Sequence, residues 1–123
     1  MPIIKGTLRE NLFFGNEHDE KKENKMLLTN IGKQLLETKD LSSVIDENGA
    51  NLSGGEKQKI VALRTAFQEA NVFVLDEITS NVDSECAKEI YDLFLEKSKG
   101  RITFIISHDD LPKAYANKII QVV

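Results

Sequence analysis

An α/β fold built on parallel strands is what this sequence predicts, and three observations carry that expectation. Val72-Phe73-Val74-Leu75 is a short, wholly apolar run that stops at Asp76-Glu77. Ile102-Thr103-Phe104-Ile105-Ile106 is a second run of the same kind. Between them the spacing predicts a helix over 84–97, with Ala87, Ile90 and Phe94 turned inward. Short apolar runs bounded in this way fit buried parallel strands. Strand, helix, strand in that order is a βαβ unit, with a right-handed crossover.

The elements follow in chain order. Residues 1–15 are mixed and punctuated by Gly6 and Gly15. Residues 16–25 are charged and polar, and read as a solvated helix start or loop in which His18 has no special part. Met26, Leu27, Ile31 and Leu35 fall at helical spacing, with Gly32 as the weak point of that helix. Residues 38–52 read as irregular chain that turns at Gly49. Ser53-Gly54-Gly55-Glu56 has the spacing of a capping box, and opens a stronger helix with Ile60, Leu63 and Phe67 on one face. The first apolar strand follows. The helix after it begins at Asp83 or Ser84 and ends at Gly100. After the second strand, Lys118 to Val123 reads as a third.

Composition narrows the classes. In a chain of 123 residues, 41% hydrophobic and 29% charged content suits one globular domain. The formal net charge of -4 argues against a nucleic-acid partner, whose binding surface is normally basic. No apolar stretch approaches the roughly 18 to 20 residues of a membrane span, and the start does not read as a signal peptide. A membrane role would come through a partner or a segment outside the chain. Cys86 is the lone cysteine, so no internal disulfide forms and a reducing compartment is the default.

Three places carry chemistry. Glycines at a helix start let another molecule approach the backbone. The unpaired first amides of the helix, with its dipole, make an anion site after Leu52. The same residues also suit a well-capped helix after a glycine turn. Asp76 and Glu77 directly follow an apolar strand, where one carboxylate can hold Mg²⁺ and the other polarise a water; two surface acids at a strand end would look alike. His108 follows the second strand and can reach a phosphate, or stand exposed without a role. Because ligands in such sheets sit at the carboxyl ends of the strands, these residues are expected on one rim.

Taken together, these stretches resemble a known family. Leu52-Ser53-Gly54-Gly55-Glu56-Lys57-Gln58 resembles the signature motif of ATP-binding-cassette (ABC) ATPases. Val72 to Glu77 resembles their Walker B strand, Ser80-Asn81-Val82-Asp83 their D-loop, and His108 their switch histidine. Two further stretches resemble the exporter branch. Gly6-Thr7-Leu8-Arg9-Glu10-Asn11-Leu12-Phe13-Phe14-Gly15 is similar to the segment that opens its helical subdomain. Val44-Ile45-Asp46-Glu47-Asn48-Gly49 is similar to the loop before the signature, although Asp46 stands where a glycine is usual.

The resemblance implies a partial P-loop NTPase (RecA-like) parallel sheet with an α-helical ABC subdomain. It divides the chain into residues 1–59, the helical subdomain ending in the signature, and 60–123, the carboxyl-terminal part of the RecA-like core. It implies that Asp76 holds the Mg²⁺ of ATP, Glu77 is the general base and His108 contacts the terminal phosphate. Ser53, Gly54, Gly55 and Glu56 would serve the ATP held by a second ABC ATPase domain, in a homodimer or heterodimer. Asp83 would couple the two sites, and Glu47 would face the transmembrane domain of an exporter at the cytoplasmic side of the membrane. Glu56 and Lys57 replace the common glutamine and arginine, and Asn81 and Val82 the usual small and apolar residues; none of these changes removes a catalytic group.

No Gly-x-x-x-x-Gly-Lys-Ser/Thr loop occurs in the sequence. The adenine-stacking aromatic residue is also lacking, and the Q-loop glutamine would lie just before Met1. The sequence therefore reads as a fragment, a truncated frame or one piece of a split gene, inactive alone. Residues 118–123 would then be left as an apolar edge, lacking the strand that carries the phosphate loop. Two other readings stay open: an inactive remnant or interaction module, and a soluble ABC-type ATPase of translation or chromosome maintenance. The latter would need paired cassettes or long coiled coils, and neither is visible.

Overall fold

A computed structural model describes residues 2–14 and 16–120. The chain opens with β1 (Gly6–Thr7) and α1 (Leu8–Leu12). Thr7 caps α1: its hydroxyl accepts from the Glu10 amide, and the Glu10 carboxylate accepts from the Thr7 amide, both at 3.1 Å. β1 pairs antiparallel with β2 (Val44–Ile45), which brings the region before the signature back to the start of the chain.

The helix expected through Met26 and Leu35 is two helices, α2 (Glu20–Leu28) and α3 (Asn30–Leu36). The break falls at Thr29. Its hydroxyl donates to the Met26 carbonyl at 2.6 Å and accepts from the Gly32 amide at 3.0 Å. Gly32 is the contact point between the two helices: a Cβ there would lie 2.2 Å from the Met26 carbonyl oxygen. Residues 38–52 are irregular as expected, apart from β2 and a 3-10 turn at Glu47–Gly49, where Asn48 (φ 56°) and Gly49 (φ 70°) are left-handed.

α4 (Gly54–Ala66) begins at the expected capping box, with the Glu56 amide 3.0 Å from Ser53 Oγ and the Ser53 amide 2.9 Å from Glu56 Oε1. β3 (Val72–Asp76), α5 (Ser84–Lys97) and β4 (Ile102–Ile106) form the expected βαβ unit. The strands are parallel and in register from Val72 opposite Ile102 to Asp76 opposite Ile106. Asp83 caps α5 through its carboxylate, which accepts from the Cys86 amide at 2.7 Å.

Two expectations need correction. The strands were expected to be buried, but only one face of the sheet is. Phe73 and Leu75 are inside, whereas Val72, Val74, Ile102, Phe104 and Ile106 are 47% to 58% exposed. Strand side chains alternate between two faces, and nothing among the described residues covers the second one. In the region expected as a third strand, residues 118–120 form no strand, with Ile119 and Ile120 exposed. A strand needs a cross-strand ladder, and β3 and β4 pair only with each other among the described residues. Residues 121–123 lie outside them.

One apolar cluster joins the chain, from Ile3, Leu8 and Leu12 through Ile31, Ile45, Ile60 and Leu63 to Leu75, Ile90 and Phe94. Arg64 is buried in it. Its Nε donates to the Asn11 carbonyl and its Nη1 to the Pro2 carbonyl, both at 2.8 Å, and its guanidinium sits 5.3 Å from the Phe14 ring centre. Burial pulls its pKa below the usual arginine value.

Candidate functional site

Ser53 and Gly54 are exposed and Gly55 is half-buried, and all three line a shallow depression together with Lys59, Asn81, Val82, Asp83 and Cys86. The glycines make room for a segment of the same chain. A Cβ on Gly54 would lie 3.2 Å from Asn81 Cβ, and one on Gly55 3.4 Å from the Asn81 carbonyl. Glu56 faces inward: Oε1 accepts from Ser53, and Oε2 accepts from the Thr38 hydroxyl at 2.9 Å and lies 3.4 Å from Lys39 Nζ. Burial pushes the Glu56 carboxyl up, and the Ser53, Thr38 and Lys39 contacts outweigh it, holding it below the usual range.

The second group lies at the carboxyl ends of the two parallel strands. Asp76 is the last residue of β3 and is exposed. Glu77 follows with φ 50°, a left-handed backbone held by its amide donating to the Ile106 carbonyl at 2.9 Å. Its carboxylate is one-third exposed, yet Oε1 itself is buried and has no hydrogen-bond partner among the described residues. His108 Nε2 lies 3.5 Å from that oxygen, on a side chain that is 98% exposed. The acids and the imidazole are thus gathered at one rim, as the sequence predicts. Asp83 stands beside the α4 depression, and Glu47 is exposed on its 3-10 turn.

Gln58 is a residue to which sequence reasoning gave no role. Its Nε2 donates to Ser80 Oγ at 2.8 Å and to the Glu77 carbonyl at 3.3 Å, and its Oε1 accepts from the Asn81 amide at 2.8 Å. Its place in the motif was the only available signal.

The donor set fits a magnesium-bound nucleotide. Among the described residues no three His, Cys, Asp or Glu side chains close a metal site by themselves. Mg²⁺ does not require one, since it takes one or two carboxylates and keeps water and substrate phosphates. The buried oxygen of Glu77 marks a polar position that no hydrogen bond from the described residues satisfies.

The chain is similar to known proteins in both sequence and fold. The family model described as ABC transporter matches residues 3–80. ATP-binding cassette sub-family C member 4 of Mus musculus is 34% identical over 110 residues, covering 86% of this chain and 8% of that protein. The nisin transport ATP-binding protein NisT of Lactococcus lactis subsp. lactis is 34% identical over 123 residues, covering 93% of this chain and 20% of that protein. A solved bacterial Atm1-family ABC exporter with ATP bound superposes with a TM-score of 0.78 at 22% identity, over 87% of this chain and 19% of that one, a likeness of fold. The chain spans a fifth or less of the length of these relatives. The family-model match and this kinship show that the chain belongs to the ABC transporter family.

Proposed function

We propose that this chain supplies part of an ATP-hydrolysing site that drives export across a membrane. The observation that carries the reading is the gathering of Asp76, Glu77 and His108 at one rim, with a buried Glu77 oxygen that has no hydrogen-bond partner among the described residues and lies 3.5 Å from His108 Nε2. Phosphoryl transfer asks a protein mainly to position groups and stabilise charge. Asp76 is the carboxylate for Mg²⁺, which when bound would neutralise phosphate charge. Glu77 orients a water and takes its proton, and His108 donates to the terminal phosphate. Ser53, Gly54 and Gly55 offer the first amides of α4 to the ATP of a second ABC ATPase domain, identical or not. Glu56 shapes that turn through the capping box, Asp83 couples the two sites and Glu47 faces the transmembrane partner. On this reading the chain works at the cytoplasmic face of a membrane. The division at 59/60 falls within α4, so we propose it as a division of roles within one core.

The chain contains no phosphate-loop sequence, and an isolated Asp76 cannot replace the amides and lysine of such a loop. Turnover is therefore assigned to the chain joined to a segment that supplies one. In that complete cassette, Mg²⁺-dependent ATP turnover is expected, and Glu77→Gln should lower kcat by about 100-fold or more. Calorimetry on the chain alone should find no micromolar ATP binding. Turnover that survives Glu77→Gln, or micromolar binding by the chain alone, would count against the reading.

A further inference from the structure

Within this reading of the site, we propose that Gln58 is the positioning residue for Glu77, tying the anion-facing turn of α4 to the general base of the same chain. Gln58 sits on the first turns of α4, four residues after Gly54. Its carboxamide reaches over to the segment after β3 and meets it three times. One amide hydrogen goes to Ser80 Oγ, the other to the Glu77 carbonyl, and the oxygen receives the Asn81 amide. Both donors and one acceptor site of the side chain are used, which is close to all it has.

The segment it grips is one that needs gripping. Glu77 has φ 50°, a left-handed backbone that a residue with a side chain keeps only if its surroundings over-determine it. On one side the Glu77 amide is held by the Ile106 carbonyl of β4. On the other side the Glu77 carbonyl is held by Gln58 and by the Ser80 amide at 3.2 Å, and Gln58 also holds Ser80 through its hydroxyl. The φ of Glu77 sets where its carboxylate points, so the direction of the base depends on these bonds. The Asn81 contact adds the second half. It seats Asn81 against Gly54, where the gap admits no Cβ without displacement. A group that docks on the amides of Gly54 and Gly55 thus presses on the loop whose other end carries Glu77, and Gln58 is the link between them.

The test is kinetic and uses the complete cassette containing this chain, with the chain alone as the structural arm. Gln58→Ala removes all three bonds. Gln58→Glu is nearly isosteric and keeps an acceptor for the Asn81 amide, but turns both donors into an acceptor facing the Glu77 carbonyl. Both variants should lower kcat by about 100-fold, the scale of a misplacement of roughly 1 Å at a reacting group, with KM for ATP within about threefold of the unmodified protein. In the chain alone, Gln58→Ala should speed amide exchange at Asn81 by at least about tenfold and leave Ile60 and Leu63 unchanged. Near-normal kcat in Gln58→Glu, a change confined to KM, or unaltered exchange at Asn81 would each overturn the proposal. If Gln58→Ala does not fold, Gln58→Glu carries the kinetic decision. An unmodified cassette with no turnover removes the underlying functional reading, whereas turnover that depends on Glu77 but not on Gln58 removes this proposal alone.

Discussion

Glu23 shows how much of this molecule rests on single polar contacts. Its carboxylate is nearly inaccessible, and receives Arg9 Nε at 2.7 Å, Arg9 Nη2 at 3.0 Å and His18 Nε2 at 2.7 Å. The Arg9 hydrogen bonds hold the Glu23 carboxyl below the usual range, against the upward push of burial and with help from His18. The folded-state pKa is thus lower than the unfolded one. The stabilisation is fully present above the ordinary carboxylate value of 4.5 and is lost as pH falls through the folded-state value. Glu23→Gln should therefore cost about 1 to 3 kcal/mol at neutral pH. In urea titrations the gap between variant and parent should close below about pH 4; a gap that is constant with pH would refute the assignment. None of this was legible in the sequence, where residues 16–25 look like one solvated charge run. Composition displays a charge but not the partner 14 residues away that buries it. Asp76, Glu77 and His108 were legible because an apolar run announces its own end. Gln58 was not, since its partners lie 19 to 23 residues further along.

At the scale of elements, the periodic signal found the helices and missed a boundary. The stripe from Met26 to Leu35 keeps helical spacing across the break, so periodicity alone draws one helix. The cue that decides it is Thr29, a capping residue buried in the pattern, whose hydroxyl serves α2 and α3 at once. Gly32 then becomes a place where two backbones meet. Gly32→Ala should destabilise the chain by about 2 to 3 kcal/mol, because the new methyl would meet a backbone carbonyl that cannot swing aside. The gain in helix propensity, about 1 kcal/mol, is too small to offset it. An unchanged denaturation midpoint would show that α2 and α3 can separate without loss. The capping boxes at Thr7 and Ser53 teach the same point: a short polar pattern fixes where a helix starts better than hydrophobic spacing does.

At the scale of the whole molecule, the two faces of the β3–β4 sheet differ sharply. One carries Phe73 and Leu75 into the common core; the other presents Val74, Phe104 and Ile106 to solvent. Contiguous exposed apolar surface favours association. The chain alone should therefore self-associate at micromolar concentration and bind a hydrophobic dye. Phe104→Lys should reduce both while leaving the unfolding free energy within about 0.5 kcal/mol. Sedimentation that shows a clean monomer of the parent chain would contradict this. The sequence revealed that these residues were apolar and strand-forming, but a wholly apolar run cannot say which of its two faces is covered. That depends on what packs against the sheet.

Arg64 has a consequence of its own. Its guanidinium, closed off from water, is grasped by carbonyls contributed by Pro2 and Asn11, and Phe14 lies over it. The opening residues are thereby a strap across the end of α4. If they peeled away, the guanidinium would lose both carbonyl partners together, each a hydrogen bond to a charged group worth about 1.5 to 3 kcal/mol. Peeling is resisted to that extent, and a nick in the connection near residue 17 should leave two pieces still clasped together.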